Sequence, residues 1–177
     1  MISRVFLPFI IALSALISMP LLTCSQVKAS QENVMASFIY SFTGYLSWPE
    51  ERQGNEFKII VLGDDQILSP LQYIGSKRTV QGRIIVVKQV NSVAEIDTCD
   101  MIFIGSGAIE AIEKLQLNQS FGPAVVITDC QDCLEKGIGI NFVNEDDRIR
   151  FEINKSALES KNIRISSQLL KLAVKVI

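Results

Sequence analysis

The sequence predicts a single-domain α/β sandwich, with a mostly parallel central sheet and helices on both of its faces. Three observations support this prediction. Short, nearly continuous apolar runs recur along the middle of the chain, as expected for strands buried on both faces. Amphipathic helical segments separate several of these runs, and that alternation is typical of parallel strands joined by crossovers. No internal repeat or low-complexity segment interrupts the pattern. The predicted central strands are residues 57–62, 84–87, 100–104 and 124–128.

The start of the chain predicts export. Arg4 supplies a basic start, residues 5–22 form a nearly uninterrupted apolar run, and the segment VKA that ends at Ala29 suits a signal peptidase. We therefore predict a cleaved signal peptide over residues 1–29 and a mature domain over residues 30–177.

Two alternatives to cleavage remain open at this point. The apolar run approaches the length of a membrane anchor, although Pro20 interrupts it. Cys24 closes the same run as the cysteine of a lipoprotein signal would, so lipidation there is the second alternative.

The composition limits the function of the mature chain. Without Arg4 and Lys28, 15 basic and 19 acidic residues remain, a net charge of −4. Such a surface argues against a nucleic-acid partner, which would require a basic stripe. The chain has no histidine, which excludes Ser-His-Asp and Cys-His catalytic sets and zinc sites built on imidazole. We predict no catalytic residue, metal or cofactor, and therefore no enzyme.

An amphipathic helix is predicted over residues 31–47, because apolar residues such as Val34, Phe38 and Phe42 recur at helical spacing. Trp48-Pro49 should end it, since the residue before a proline avoids the helical region. The aromatic side chains are expected to pack against the sheet. An exposed aromatic docking surface is the alternative.

Two shorter helices are predicted between the central strands. The first covers residues 67–74, with Pro70 in its first turns. The second covers residues 108–117, and its inward-facing residues should be Ile109, Ile112 and Leu115.

Residues 138–177 form the block around which the domain is organised. They predict two short strands joined by a polar turn at residues 144–147, a helix after Asn154, and a terminal helix opened by Ser166 and Ser167. The second strand should place Ile149, Phe151 and Ile153 on a core face, and Arg148, Arg150, Glu152 and Asn154 on a polar face. The terminal helix should dock the chain end through Ile165, Leu169, Leu172, Ala173 and Val176.

Three cysteines remain in the mature chain. Cys130 and Cys133 are close enough in sequence to form a loop disulfide in an exported protein. Two thiols, or a redox-active pair, are the alternatives. The redox reading is disfavoured because the pair follows a strand and precedes a glycine-rich turn, whereas a reactive cysteine is usually placed at a helix start.

Polar and glycine residues at strand ends predict a possible small-ligand crevice. The carboxyl ends of parallel strands are where α/β sheets bind ligands. The candidates are Gly63, Asp64, Gly105, Ser106 and Asp129. Turn formation and helix capping explain the same residues without a ligand.

Four segments of the chain resemble the YfiR/HmsC-like family of periplasmic proteins. They are FIYSFTGYLSWP (38–49), FKIIVLG (57–63), CDMIFIG (99–105) and the closing block that begins INFVNEDDRIRFEIN and continues to ISSQLLKLA (140–173). The segments RFEIN and ISSQLL are the most specific, because a generic strand-helix unit does not require them.

The resemblance implies a periplasmic repressor with an α/β sandwich fold. It would bind the periplasmic sensory domain of an inner-membrane diguanylate cyclase and hold it inactive, which lowers cyclic di-GMP and biofilm formation. An outer-membrane lipoprotein could sequester it, and a homodimer is expected. The competing function is a periplasmic small-ligand binding protein that uses the strand-end crevice.

The same resemblance selects the partner-binding residues. Glu152 is the first choice, with Arg150 beside it, and Asn154 and Gln168 complete the set. One departure from the family concerns Cys99, because its usual disulfide partner nearer the first strand is absent. Cys99 is therefore either a buried thiol or a residue for intermolecular pairing.

Overall fold

A computed structural model describes residues 30–50, 54–63, 66–108, 110–117 and 122–177. The predicted signal peptide lies outside these residues. None of the helices in the described ranges combines the length and hydropathy needed to cross a bilayer. The α-helices are α1 (Gln31–Phe42), α2 (Leu68–Gly75), α3 (Ala111–Leu117), α4 (Lys155–Glu159) and α5 (Ser167–Leu172).

The strands form one large sheet and one small one. Eight strands make the large sheet, in the order β10-β8-β7-β6-β5-β2-β4-β3, and β1 pairs with β9 in the small one. The strands are β1 (Leu46–Ser47), β2 (Glu56–Leu62), β3 (Thr79–Val80), β4 (Arg83–Val90), β5 (Met101–Ile104), β6 (Val125–Thr128), β7 (Ile140–Glu145), β8 (Arg148–Ile153), β9 (Arg164–Ile165) and β10 (Lys175–Val176).

The predicted fold class is confirmed. Strands β4, β2, β5, β6 and β7 are parallel to one another and lie in that spatial order, so the chain starts in the middle and winds outward in both directions. This is the 2-1-3-4-5 order of a doubly wound sheet. Within the described ranges, β3 and β8 alone join the large sheet by antiparallel pairing, while β10 pairs in parallel with β8.

Two apolar clusters fill the two faces of the sheet. The α1 face is covered by α1, α2 and the closing helices, and it buries aromatic rings that include Phe42, Phe57 and Phe151. The α3 face is covered by α3 and the loop after β6, and its core is mainly aliphatic. Strands buried on both faces explain the continuous apolar runs in the sequence.

The first helix ends earlier than predicted. Helix α1 stops at Phe42, and Thr43 turns the chain by donating from Oγ1 to the carbonyl of Tyr40 at 2.7 Å. Leu46 then lies in β1, where it pairs with Ile165. The prediction of a helix to residue 47 was therefore wrong, because the buried positions continue in a strand after the helix has ended. Its aromatic residues do pack inward: Phe38 lies 5.7 Å from Phe151, ring centre to ring centre.

The end of the chain also differs from its prediction. Helix α5 buries Leu169 but ends at Leu172, and Lys175–Val176 form β10 beside β8. Leu172 and Val176 are therefore exposed, not buried on a helix. Docking of the chain end is nevertheless confirmed, because the amide of Ile177 donates to the carbonyl of Ile153 at 3.0 Å.

Smaller differences concern the middle of the chain. Strand β4 is longer than the predicted 84–87, and α3 starts at Ala111 after a short 3-10 turn at Ser106–Ala108. Ile112 and Leu115 are buried as predicted, while Ile109 lies outside the described residues.

A buried ion pair joins the amino ends of three central strands. The Nη2 atom of Arg83 lies 2.8 Å from Oδ2 of Asp100, with the two side chains 15% and 3% exposed. The same Oδ2 accepts from the amide of Lys58 at 2.8 Å. The indole of Trp48 donates to the carbonyl of Asp100 at 3.0 Å, and the guanidinium lies 5.0 Å from the ring centre of Phe57.

The hairpin between β7 and β8 supports a stability prediction. Glu145 pairs with Arg148, so the turn is the two residues Asp146 and Asp147, with φ of 51° and 58°. Both angles lie in the left-handed region that Asn and Gly adopt more readily. Replacing Asp146-Asp147 by Asn-Gly should raise the free energy of unfolding by about 1 kcal/mol, because the cost of holding L-residues in the left-handed region exceeds the backbone entropy cost of one glycine. Urea denaturation measures this difference. A lower midpoint in the variant would contradict this account of the turn.

Candidate functional site

Strand β8 carries two of the candidate partner-binding residues, Arg150 and Glu152, on the α3 face of the sheet. Phe151 and Ile153 point into the aromatic core on the α1 face, so Arg150 and Glu152 point the other way. Lys175 of β10 is in register with Glu152. We call Arg150, Glu152 and Lys175 the Glu152 surface. It places one carboxylate between two cations.

A buried amide supports this surface from the neighbouring strand. Asn141 of β7 is opposite Glu152 and fully buried, and its Nδ2 donates to Oε2 of Glu152 at 3.3 Å. Its Oδ1 has no hydrogen-bond partner. Because an unsatisfied buried amide is costly, the Glu152 carboxylate contributes to folding as well as to the surface. Sequence reasoning missed Asn141, although an asparagine inside the apolar run of β7 was the available signal.

The loop after β6 forms a wall beside the Glu152 surface. Cys130 and Cys133 form a disulfide there, which confirms the predicted loop bond. Both cysteines are buried in the core of the α3 face. Asn154, at the end of β8, donates from Nδ2 to the carbonyl of Leu134 at 3.1 Å and so ties the loop to the strand.

The four predicted partner-binding residues are not all together. Arg150 and Glu152 share one surface. Asn154 lies at its end, where Oδ1 accepts from the amide of Ala157 at 2.8 Å and caps α4. Gln168 is exposed on α5, which packs on the α1 face through Leu169. Gln168 and Glu152 therefore lie on opposite faces of the sheet.

Cys99 is a buried residue outside the disulfide. It belongs to the core of the α3 face, which favours the interpretation as a buried thiol over intermolecular pairing. Burial lowers the pKa of nearby Lys161, and the electrostatic interaction with Cys99 acts in the opposite direction. The ammonium of Lys161 donates to the carbonyl of Ala124 at 3.1 Å. These contacts give both residues a role in packing.

A crevice opens at the carboxyl ends of β2 and β4. Its volume is about 620 Å³, and its lining includes the apolar Leu62 and the charged Glu110 and Lys114. The switch point of this strand order lies between β2 and β5, and doubly wound sheets bind ligands at such a point. The remaining lining residues are Asn91, Ser92, Val93, Ala94, Gly107, Ala108 and Ala111.

Of the predicted ligand-binding residues that the structure describes in full, Gly63, Gly105 and Asp129 do not line this crevice. Gly63 and Gly105 lie at adjacent strand ends, where the amide of Gly105 donates to the carbonyl of Leu62 at 3.0 Å. A Cβ on Gly63 would lie 2.3 Å from the Cβ of Ala108, so Gly63 serves close packing. Asp129 follows β6, Asp64 lies outside the described residues, and the side chain of Ser106 is not described.

No metal-binding cluster is found in the described ranges: they contain no group of three or more histidine, cysteine, aspartate or glutamate side chains arranged to hold an ion.

Comparison with known proteins identifies the family. A family model described as YfiR/HmsC-like matches residues 32–174, which include both core clusters and most of the Glu152 surface. No curated protein matches the chain.

Two solved structures share the fold. A conserved domain protein from Vibrio cholerae is 14% identical with a TM-score of 0.58, over 84% of this chain and 60% of that one. A structure titled as the ABC domain in complex with L-Trp, from Streptococcus pneumonia, is 13% identical with a TM-score of 0.54, over 82% of this chain and 60% of that one. The chain thus spans about 60% of the length of each.

Proposed function

Because this chain belongs to the YfiR/HmsC-like family, whose members are regulators of diguanylate cyclase systems in the periplasm, we propose that it represses one such cyclase by binding it. The partner is the periplasmic sensory domain of an inner-membrane diguanylate cyclase. Binding holds the cyclase inactive, and cyclic di-GMP and biofilm formation fall. The protein acts without catalysis, as a homodimer, after removal of residues 1–29, and an outer-membrane lipoprotein can sequester it.

The family match over residues 32–174 carries this proposal. The Glu152 surface supports it, because β8 can present charge on one face while Phe151 and Ile153 maintain the core on the other. The wall formed by the disulfide loop gives that surface a fixed neighbour. Fixed polar groups around a half-buried carboxylate suit specific recognition of a folded partner.

The proposal is tested by co-purification and by cellular cyclic di-GMP. The mature protein should co-purify with the periplasmic domain of the cyclase encoded beside it. Deleting the gene should raise cyclic di-GMP, and restoring it should lower the level again. An unchanged level in the deletion strain, with no complex in vitro, would exclude this function.

Glu152→Gln is the variant that separates recognition from folding. The glutamine keeps an oxygen that can accept from Asn141 but loses the charge, so the fold should persist while affinity for the cyclase domain falls about tenfold. Glu152→Ala should additionally lower stability by about 1 to 3 kcal/mol, because Asn141 loses its acceptor. Calorimetric titration and thermal melting measure the two effects.

Glu159→Gln is the matched control. Glu159 makes an exposed ion pair with Lys155 at 3.5 Å and lies on α4, so the same substitution there should change neither binding nor repression. If Glu152→Gln binds and represses as the wild type does, Glu152 is not part of the recognition site.

A second candidate function is small-ligand binding, which the crevice at the ends of β2 and β4 favours. Its 620 Å³ volume falls within the range of small-molecule sites. Native mass spectrometry of protein isolated from the periplasm should then show a bound small molecule. Lys114→Ala should reduce its occupancy. A spectrum with apoprotein alone would remove this candidate.

A further inference from the structure

The last six residues expose an unusual amount of apolar surface. Among the described residues, six large hydrophobic side chains are strongly exposed, and four of them lie in this segment. Soluble proteins rarely cluster such residues without an interaction partner. We call the four the C-terminal patch: Leu172, Val174, Val176 and Ile177.

The C-terminal patch lies at an open sheet edge. Among the strands that the structure describes, β10 is the outermost of the large sheet and pairs with β8 alone. The amide of Ile177 bonds to Ile153, and its carbonyl accepts from Lys155. Because backbone groups alternate in direction along a strand, those of Val176 point to the open side. The edge therefore offers both hydrogen-bonding groups and apolar side chains to an added strand.

Charge disfavours a second copy of this chain as the added strand. Lys171 and Lys175 flank the C-terminal patch, so two copies paired edge to edge would bring lysines together. The opposite edge of the sheet, at β3, is flanked by exposed Lys77 and Arg78. Pairing of β10 with that edge would again oppose like charges.

Lysines at an edge are also a common protection against aggregation. That role suits the β3 edge, where Val80 is buried. It does not account for the β10 edge, where Val176 and the preceding Val174 are more than 40% exposed. An apolar edge with cationic flanks is complementary to a strand with apolar side chains and flanking carboxylates.

We propose that the β10 edge receives such an acidic, apolar strand from the periplasmic domain of the cyclase, which extends the sheet across the two proteins. This inference rests on the proposed function and names the contact through which it operates. The family match over residues 32–174 includes Leu172 and Val174 and ends just before β10.

Two double variants and a control test the proposal, using the mature chain and the cyclase periplasmic domain. Val174→Thr with Val176→Thr keeps shape and strand preference but removes apolar contact. Lys171→Glu with Lys175→Glu reverses the flanking charge. Each should raise the Kd for the cyclase domain about tenfold. Ile84→Thr, at a side chain that is 55% exposed and far across the sheet order, should leave the Kd unchanged.

The outcomes separate this inference from the proposed function. If the wild type binds and both double variants bind within twofold of it, the edge is not the contact and only this inference is wrong. If Ile84→Thr weakens cyclase binding as much as the double variants do, the inference is also wrong. It is wrong too if the double variants lose self-association in sedimentation velocity while they keep cyclase binding. If the wild type does not bind the cyclase domain, the proposed function fails and this inference fails with it.

Discussion

Replacing Asp100 by alanine is expected to lower the free energy of unfolding by about 3 to 5 kcal/mol, because it leaves the largely buried guanidinium of Arg83 without its counterion. The amide of Lys58 loses its acceptor in the same variant. The loss would be a large part of the stability of a domain of this size. Urea denaturation measures it directly.

The single tryptophan reports on this region. Trp48 is the only tryptophan in the chain, its indole donates to the carbonyl of Asp100, and its ring lies 5.0 Å from that of Phe57. Its fluorescence should therefore follow unfolding of the amino ends of β2 and β5. Intrinsic fluorescence and circular dichroism should give the same midpoint if the domain unfolds as one unit.

Asp97→Ala is the control for Asp100→Ala. Asp97 pairs with Lys88 at 3.4 Å, but the two side chains are 78% and 52% exposed. An exposed ion pair contributes about 0 to 1 kcal/mol, so this variant should remain close to the wild type. Arg83→Met combined with Asp100→Ala should recover part of the loss, because no buried charge is left unpaired. Asp100→Ala within 1 kcal/mol of the wild type would contradict the importance of the pair.

Phe151→Ala should cost about 3 to 5 kcal/mol of stability. Phe151 is only 4% exposed, and its ring lies 5.0 Å from that of Phe42 and 5.7 Å from that of Phe38. Truncation leaves a cavity between β8 and α1. We therefore expect cells to contain less folded protein and more cyclic di-GMP, with the remaining protein binding the cyclase domain normally.

Tyr73→Ala is the matched aromatic truncation on the surface. Tyr73 is 69% exposed, so its loss should change stability by about 0.5 kcal/mol or less. A double-mutant cycle of Phe42→Ala and Phe151→Ala should give a coupling free energy of about 0.5 to 1.5 kcal/mol in stability, which comes from the contact between the two rings. A Phe151→Ala protein with normal stability but no cyclase affinity would instead place Phe151 in the recognition surface.

Much of the fold could be predicted from local patterns. The central strands were found because burial on both faces requires continuous apolar runs. The β7–β8 hairpin was found because one buried face imposes alternation on β8 and polar residues mark its turn. The Cys130–Cys133 disulfide was predictable because only two residues separate its cysteines.

The predicted ends of the first and last helices were wrong because tertiary contacts, and not the helix, bury or pair the residues that follow. The apolar spacing of α1 continued past Phe42 because Leu46 is buried by pairing with β9, not by the helix. The predicted terminal helix was longer than α5 because Ala173 and then Val176 of β10 continue its apolar spacing. In both cases the apolar residues of a helix and of the strand after it together fit one helical spacing. Only the pairing of that strand with a distant segment shows where the helix ends.

The candidate site shows the same division. The alternation of β8 predicted that Glu152 and Arg150 point away from the core, and the structure confirms that direction. The alternation did not predict that Asn141 would donate a hydrogen bond to Glu152, or that Gln168 would lie on the opposite face of the sheet. Those relations depend on the register of β7 with β8 and on which face α5 covers.

The sequence by itself determined the fold class, the two-faced character of β8 and the proximity of the loop cysteines, because each depends on residues a few positions apart. Only the tertiary structure decided the order of the strands, the pairing of Arg83 with Asp100, the position of the crevice and the exposure of the C-terminal patch. The physical reason is that backbone geometry sets which face a side chain takes within its own strand. Strand register and packing between distant segments then decide which residues cover that face. Local periodicity does not encode either of them.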